Sequence, residues 1–144
     1  MGDKAPSFSK FGKDFQESLC QMILQDRPFA DQIMEVLDIG FLELHYLRVF
    51  VQKIFEYREE FGVHPTYKIM ISIIRADIEG ENVATQQQLR NYFARIHDAQ
   101  VSGSDYIKRT ALDFCRKQKL KEAMIKSVPL LEKSSFDQIA KIIN

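Results

Sequence analysis

The chain has 144 residues, 45% of them hydrophobic, and its 20 Lys and Arg residues balance its 20 Asp and Glu residues. This length suits one domain, which buries about 68–70% of the surface of the unfolded chain. Balanced charge excludes a global positive field that would draw the protein to nucleic acid or an anionic membrane. There is no signal peptide, and no apolar run approaches the ~20 residues of a membrane span.

Few turn-forming residues are present. Six Gly, four Pro and no Trp predict an all-α domain rather than a β sandwich. The two cysteines, Cys20 and Cys115, lie in apolar-periodic segments and are too far apart in sequence for metal-ligand spacing. We therefore expect buried free thiols in a reducing cytoplasm.

Residues 1–13 are rich in Ser, Lys, Gly and Pro and lack periodicity, which predicts a flexible leader. Asp14, with Glu17 three residues later, is a candidate N-cap for the first helix. That helix should end near Asp26. A short second helix should carry Pro28 in its first turn and close at Gly40.

The central stretch, residues 41–75, predicts a helical hairpin. Its first arm carries an apolar stripe, Gly62 fits a helix C-terminus, and Pro65 prevents simple continuation. The second arm is ambiguous, because its apolar residues alternate as in a strand and also recur as in a helix. We favour a helix, since Thr66 is a natural cap and no partner strand is evident. The first-arm stripe consists of Leu44, Leu47, Val51 and Ile54.

A further helix, capped by Thr85, should complete a helical head over residues 14–103. From Asp105 a helical pattern runs for about six turns until Pro129, which should kink or stop it. Ser135 then opens a capping box with Gln138. Residues 104–144 are therefore predicted to form a protruding helical hairpin. Because the pattern ends without a terminator, either the helix frays at a natural terminus or the domain is cut from a longer protein, and we favour the second interpretation.

Motifs for chemistry are lacking. His45, His64 and His97 are scattered without a second ligand at metal spacing, and Gly12-Lys13 lacks the other features of a Walker A loop. No histidine lies near either cysteine in sequence, although pairing in space stays open. The sequence thus predicts no catalytic, cofactor-binding or metal-binding residues.

The last third offers two candidate surfaces. The first is an apolar subunit or partner interface on the hairpin, with candidates Ile107, Ala111, Phe114, Leu120, Met124, Phe136, Ile139 and Ile143. The second is a cluster of seven basic residues, which is either a solvated helix face or a strip for an acidic partner or nucleic acid. These residues are Lys108, Arg109, Arg116, Lys117, Lys119, Lys121 and Lys126.

Four segments follow one another in the chain: FQESLCQMILQD, FLELHYLRVFVQKIFEYREEFGVHPTYKIMISII, DYIKRTALDFCRKQKLKEAM and SSFDQIAKII. This order resembles the N-terminal domain of DnaB-type replicative helicases, most closely those of large tailed phages. The resemblance spans about residues 14–144. It departs from the bacterial branch before Thr85, where Glu81-Asn82 replaces a usual Gly-Gly pair.

This resemblance implies a domain without chemistry of its own. In the family, hairpins pair between subunits into a collar on a hexameric ring, and primase and helicase loader dock there. ATP and Mg belong to a following RecA-like motor that unwinds DNA 5'-3', so this domain should contact DNA only weakly. The expected location is the cytoplasm of a bacterium or phage-infected host, without membrane contact. The alternative is a freestanding helical adaptor, such as a loader or primase-binding accessory protein.

Overall fold

We describe the protein from a computed structural model, which defines the backbone of residues 5–143 and their side chains except at 136 and 138–143. This part of the chain contains no β-strand, so the all-α prediction is confirmed, and the ambiguous second arm of the hairpin is a helix. The six α-helices are α1 (Lys13–Gln25), α2 (Arg27–Ile33), α3 (His45–Phe61), α4 (Tyr67–Asp77), α5 (Val83–Ile96) and α6 (Ser104–Ile143).

Local sequence signals set several helix ends. Gly62 adopts the left-handed conformation, with φ 70°, and ends α3. Thr66 caps α4 by accepting a hydrogen bond from the Ile69 amide at 3.2 Å. Asp26 caps α2 in the same way, through the Phe29 amide at 3.1 Å. These three residues separate α1 from α2 and α3 from α4.

Other predicted ends were wrong. Gly12, not Asp14, precedes α1. Asn82 caps α5 by accepting from the Thr85 amide at 2.7 Å, so Thr85 is the third helical residue rather than the cap. The second helix ends at Ile33, and Gly40 lies in a separate 3-10 turn at Ile39–Phe41. The errors at the starts of α1 and α5 fall where two candidate capping residues stand within three positions of each other in sequence.

Helix α3 forms the centre of the head. It packs against α1, α4 and α5, and its side chains Leu47, Phe50, Val51 and Ile54 are fully buried. Helix α1 also packs against α2 and α6. The apolar stripe of α3 is therefore covered by helices that precede it in the chain and by helices that follow it.

The predicted leader is part of the core from residue 8. A 3-10 turn spans Phe8–Phe11, and the Phe8 side chain is fully buried. Its ring centroid lies 4.9 Å from that of Phe114 and 6.0 Å from that of Phe41. Burying an aromatic ring removes about 150–250 Å² of surface from water. The stabilisation from this burial orders the segment around Phe8, although the residues beside it in sequence are polar. Residues 1–4 of the leader lie outside the described part.

The final hairpin is replaced by one helix. Helix α6 runs from Ser104 to Ile143 through Pro129, so the predicted stop at Pro129 and the fresh helix start at Ser135 are wrong. Proline removes a hydrogen bond to the carbonyl four residues earlier, here that of Ile125. Because Ile125 is exposed, water can hydrate that carbonyl. Forty helical residues span about 60 Å.

Candidate interaction surface on helix α6

The inner half of α6 belongs to the core of the head. Ile107, Ala111 and Phe114 are buried, and the Phe114 ring lies 5.3 Å from Phe41 in an edge-on arrangement. The Lys108 ammonium anchors the same segment to the Asp26 carboxylate at 2.6 Å. These three apolar residues were predicted to face another subunit, but they already contact their own chain.

The outer half of α6 is exposed, and the large apolar side chains that face solvent there are Leu120, Met124, Ile125, Val128, Leu130 and Leu131. Leu120, Met124, Val128 and Leu131 follow one another at steps of four, four and three residues, which aligns them along a helix. Their exposed fractions are 62%, 60%, 49% and 64%. We call these four residues the α6 stripe. Leu120 and Met124 were predicted interface residues, whereas the side chains of Phe136, Ile139 and Ile143 lie outside the described residues.

The inner end of the α6 stripe points away from the core contacts of its own helix. Leu120 follows Ala111 by nine residues, and at about 100° per residue the two lie on opposite sides. Val128 follows Phe114 by fourteen residues and lies about 40° from it around the helix, so Val128 continues the packed side of α6. Because the stripe lies beyond the residues that pack in the head, it is an exposed apolar surface that can contact a partner.

Five of the seven basic residues lie along one side of α6. Lys108 is held by Asp26, and the other six are exposed. At about 100° per residue, Lys108, Arg109, Arg116, Lys119 and Lys126 fall within about 100° of one another around the helix, whereas Lys117 and Lys121 lie on another side. The solvated helix face and the strip for an acidic partner or nucleic acid both stay predictions.

A buried polar cluster joins three helices of the head. The Glu17 carboxylate accepts a hydrogen bond from the Tyr46 hydroxyl at 2.7 Å and others from the Arg95 guanidinium. Burial raises the pKa of Glu17, but the hydrogen bonds from Arg95 and Tyr46 outweigh it and hold this pKa below its usual value. A carboxylate whose oxygens are occupied in this way serves as a structural anchor. Sequence reasoning assigned Glu17 to a capping box and missed these distant partners.

His64 connects α1, α2 and α3. Its Nε2 lies 2.7 Å from the Leu24 carbonyl and its Nδ1 lies 2.7 Å from Arg58 Nη1, while Arg58 also pairs with Asp31. The carbonyl requires a proton on Nε2, so Nδ1 accepts from Arg58 and the ring is neutral. Burial lowers the pKa of His64, and the positive Arg58 lowers it further. In sequence this histidine showed no partner.

Both cysteines are buried free thiols, as predicted. Burial raises the pKa of Cys115 to about 12 and that of Cys20 well above its usual value, so neither forms a reactive thiolate readily. Within residues 5–143, no three His, Cys, Asp or Glu side chains whose positions are defined come close enough to hold a metal ion. Over the same described range, none of the helices combines the length and apolar character needed to cross a bilayer.

No protein-family model, curated protein or solved structure matches the chain.

Proposed function

We propose that this chain is the oligomerisation and partner-docking domain of a replicative ring DNA helicase, acting in the cytoplasm of a bacterium or phage-infected host. In this proposal the α6 helices of neighbouring subunits pair into a collar, and primase or loader docks on it. The motor that uses ATP and Mg to unwind DNA is a following domain.

The exposed α6 stripe carries the proposal. A helix of about 60 Å is fixed at one end by Ile107, Ala111 and Phe114, and its other end presents large apolar side chains to solvent. Exposed apolar patches rimmed by polar residues are typical of surfaces that contact proteins, membranes or ligands. The sequence resemblance to DnaB-type domains supplies the biological context, although the continuous α6 replaces the expected hairpin.

Sedimentation across a concentration series tests self-association. We expect the average mass to rise above the 16.8 kDa of the single chain as concentration increases. The double variant Met124→Glu/Leu131→Glu places charge in the stripe and should weaken this association at least about tenfold, because charged groups are poorly tolerated in an apolar contact.

Val83→Glu is the matched control. Val83 is 81% exposed but lies at the start of α5, so this change should leave the association intact. A wild-type chain that stays monomeric at the highest concentration, with no effect of the stripe variant, would contradict an oligomerisation role.

The reading frame beyond codon 144 separates the helicase from the freestanding adaptor. A following RecA-like domain with a Walker A loop supports the helicase domain. A stop codon at that point favours the adaptor, for which the stripe would bind a different helical protein.

A further inference from the structure

A second apolar surface lies on the head, between α4 and α5. Its floor is made by Ile71, Ile74, Phe93 and Ala94, which border a cavity of 340 Å³. Tyr67 and Ile71 also border a neighbouring depression of 660 Å³ that reaches His97. We call the two depressions together the α4/α5 groove.

The groove exists because α4 has more apolar surface than the head covers. Four Ile and one Met stand among its eleven residues, and Ile69, Ile71 and Ile73 are only partly buried. The groove is also fixed in shape. The Tyr67 hydroxyl donates to the Phe93 carbonyl at 2.7 Å, and the Tyr67 ring lies 5.6 Å from the Phe93 ring.

One end of the groove is positively charged. Arg75 projects from α4 and Arg90 from α5, both exposed and both bordering the 340 Å³ cavity. Among the side chains that the structure describes, no carboxylate lies within 4.0 Å of either guanidinium; the nearby Asp77 pairs with Lys53 at 3.4 Å. Two guanidiniums beside an apolar floor complement a ligand that is both apolar and acidic.

We propose that the α4/α5 groove binds an amphipathic α-helical segment of a partner protein, with acidic side chains at the end that meets Arg75 and Arg90. The floor along α4 from Tyr67 to Arg75 covers about 12 Å, which matches apolar anchors at positions i, i+4 and i+7 of a bound helix. This site stands apart from the α6 stripe and does not require the helicase assignment.

A second copy of this chain fits the α4/α5 groove less well than an acidic helix does. Its exposed apolar segment is the outer half of α6, where residues 116–126 contain Arg116, Lys117, Lys119, Lys121 and Lys126 against Glu122 alone. These charges have the same sign as Arg75 and Arg90, so they repel each other across the contact. The charge of the groove therefore selects an acidic partner.

The experiment uses two designed helical peptides that share Leu at i, i+4 and i+7 and carry three Glu or three Lys at one end. Each is titrated into isotopically labelled protein and followed by amide chemical shifts. The Glu peptide should shift Ile71, Arg75, Arg90 and Ala94 saturably, and the Lys peptide should bind at least about tenfold more weakly.

Charge reversal provides the decisive variant. Arg75→Glu/Arg90→Glu should reverse the preference, so that the Lys peptide binds more tightly. Arg109→Glu/Arg116→Glu reverses two charges on α6, away from the groove, and should preserve the preference for the Glu peptide. Both pairs replace exposed residues, so folding is retained.

Several results would overturn the proposal. These are the absence of saturable shifts with either peptide, shifts confined to residues 120–131, equal affinity for the two peptides, or displacement of the Glu peptide by oligodeoxythymidine. Retained peptide binding in Met124→Glu/Leu131→Glu supports a groove independent of the stripe. If the protein stays monomeric and binds the Glu peptide, the oligomerisation role is excluded and the proposed peptide-binding role of the groove is supported.

Discussion

The Tyr46 hydroxyl and the Glu17 carboxylate meet 2.7 Å apart inside the head, although 29 residues separate them in the chain. Arg95 reaches the same carboxylate from α5. The Glu17 carboxylate of α1 thus fixes the positions of α3 and α5 relative to each other. Because the carboxylate is almost entirely buried, losing a donor leaves an acceptor that water reaches poorly.

Tyr46→Phe should lower the free energy of unfolding by about 1.5–3 kcal/mol, the range for a hydrogen bond to a buried charged group. Urea titration of both proteins measures the difference. Tyr106→Phe is the matched control, since Tyr106 is 64% exposed, and it should leave the midpoint unchanged. Equal midpoints for all three proteins would show that the Tyr46 hydroxyl adds nothing to stability.

Phe8→Ala should cost about 3–5 kcal/mol of unfolding free energy, because it opens a cavity between Phe41 and Phe114. Thermal or urea unfolding reports the loss. Phe61→Ala removes the same ring at a position that is 58% exposed, and it should cost less than about 1 kcal/mol. A loss at Phe8 no larger than at Phe61 would mean that the N-terminal segment detaches readily.

Local signals predicted the fold well wherever one residue dictates a backbone conformation. Gly62 and Thr66 illustrate this, because a left-handed helix end or a side-chain cap depends on neighbours in sequence. The burial of Phe8 was missed because two of the rings that cover it, Phe41 and Phe114, are more than thirty residues away in sequence. Composition then pointed to a loose leader, since polar residues outnumber the apolar ones nearby.

Helix α6 shows a second limit of prediction from sequence. A periodic apolar face indicates that a helix needs a partner, but it does not say whether that partner is the same chain. Ile107 and Phe114 find theirs inside the head, whereas Leu120 and Met124 find none among the described residues. The α4/α5 groove could not be predicted either, because Arg75 and Arg90 come together only in the folded chain.

His64 should make stability depend on pH in a defined window. Its ring is neutral in the fold and its pKa is below the usual 6.5, so the unfolded chain binds the proton more readily. The free energy of unfolding should therefore fall as the pH drops through about 6.5, by at most about 1.4 kcal/mol per pH unit. His64→Gln should flatten the fall between pH 7 and pH 5.5.

The control for this effect is His45→Gln/His97→Gln, which leaves His64 in place and should keep the fall. Carboxylates contribute at lower pH. The Arg58 hydrogen bond holds the pKa of Asp31 below its usual 3.8, and the pKa of Glu17 is below its usual 4.5. Their stabilisation is lost only as the pH falls below those values. An unchanged pH profile in His64→Gln would assign the dependence to other groups.

Ser135→Ala distinguishes a continuous α6 from a hairpin that restarts near its end. In the interior of a helix, alanine is more favourable than serine by a few tenths of a kcal/mol, so amide exchange over residues 130–137 should slow by about twofold. At a helix N-cap the same change costs about 1 kcal/mol, which would speed exchange by about fivefold.

Two reference variants calibrate these changes. Thr66→Ala removes a true cap and should speed exchange in α4, whereas Ser127→Ala changes an interior serine of α6 and should slow exchange nearby. If Ser135→Ala follows Ser127→Ala, the outer half of α6 is one continuous helix. If it follows Thr66→Ala, the helix breaks after Pro129 and a new helix begins at Ser135.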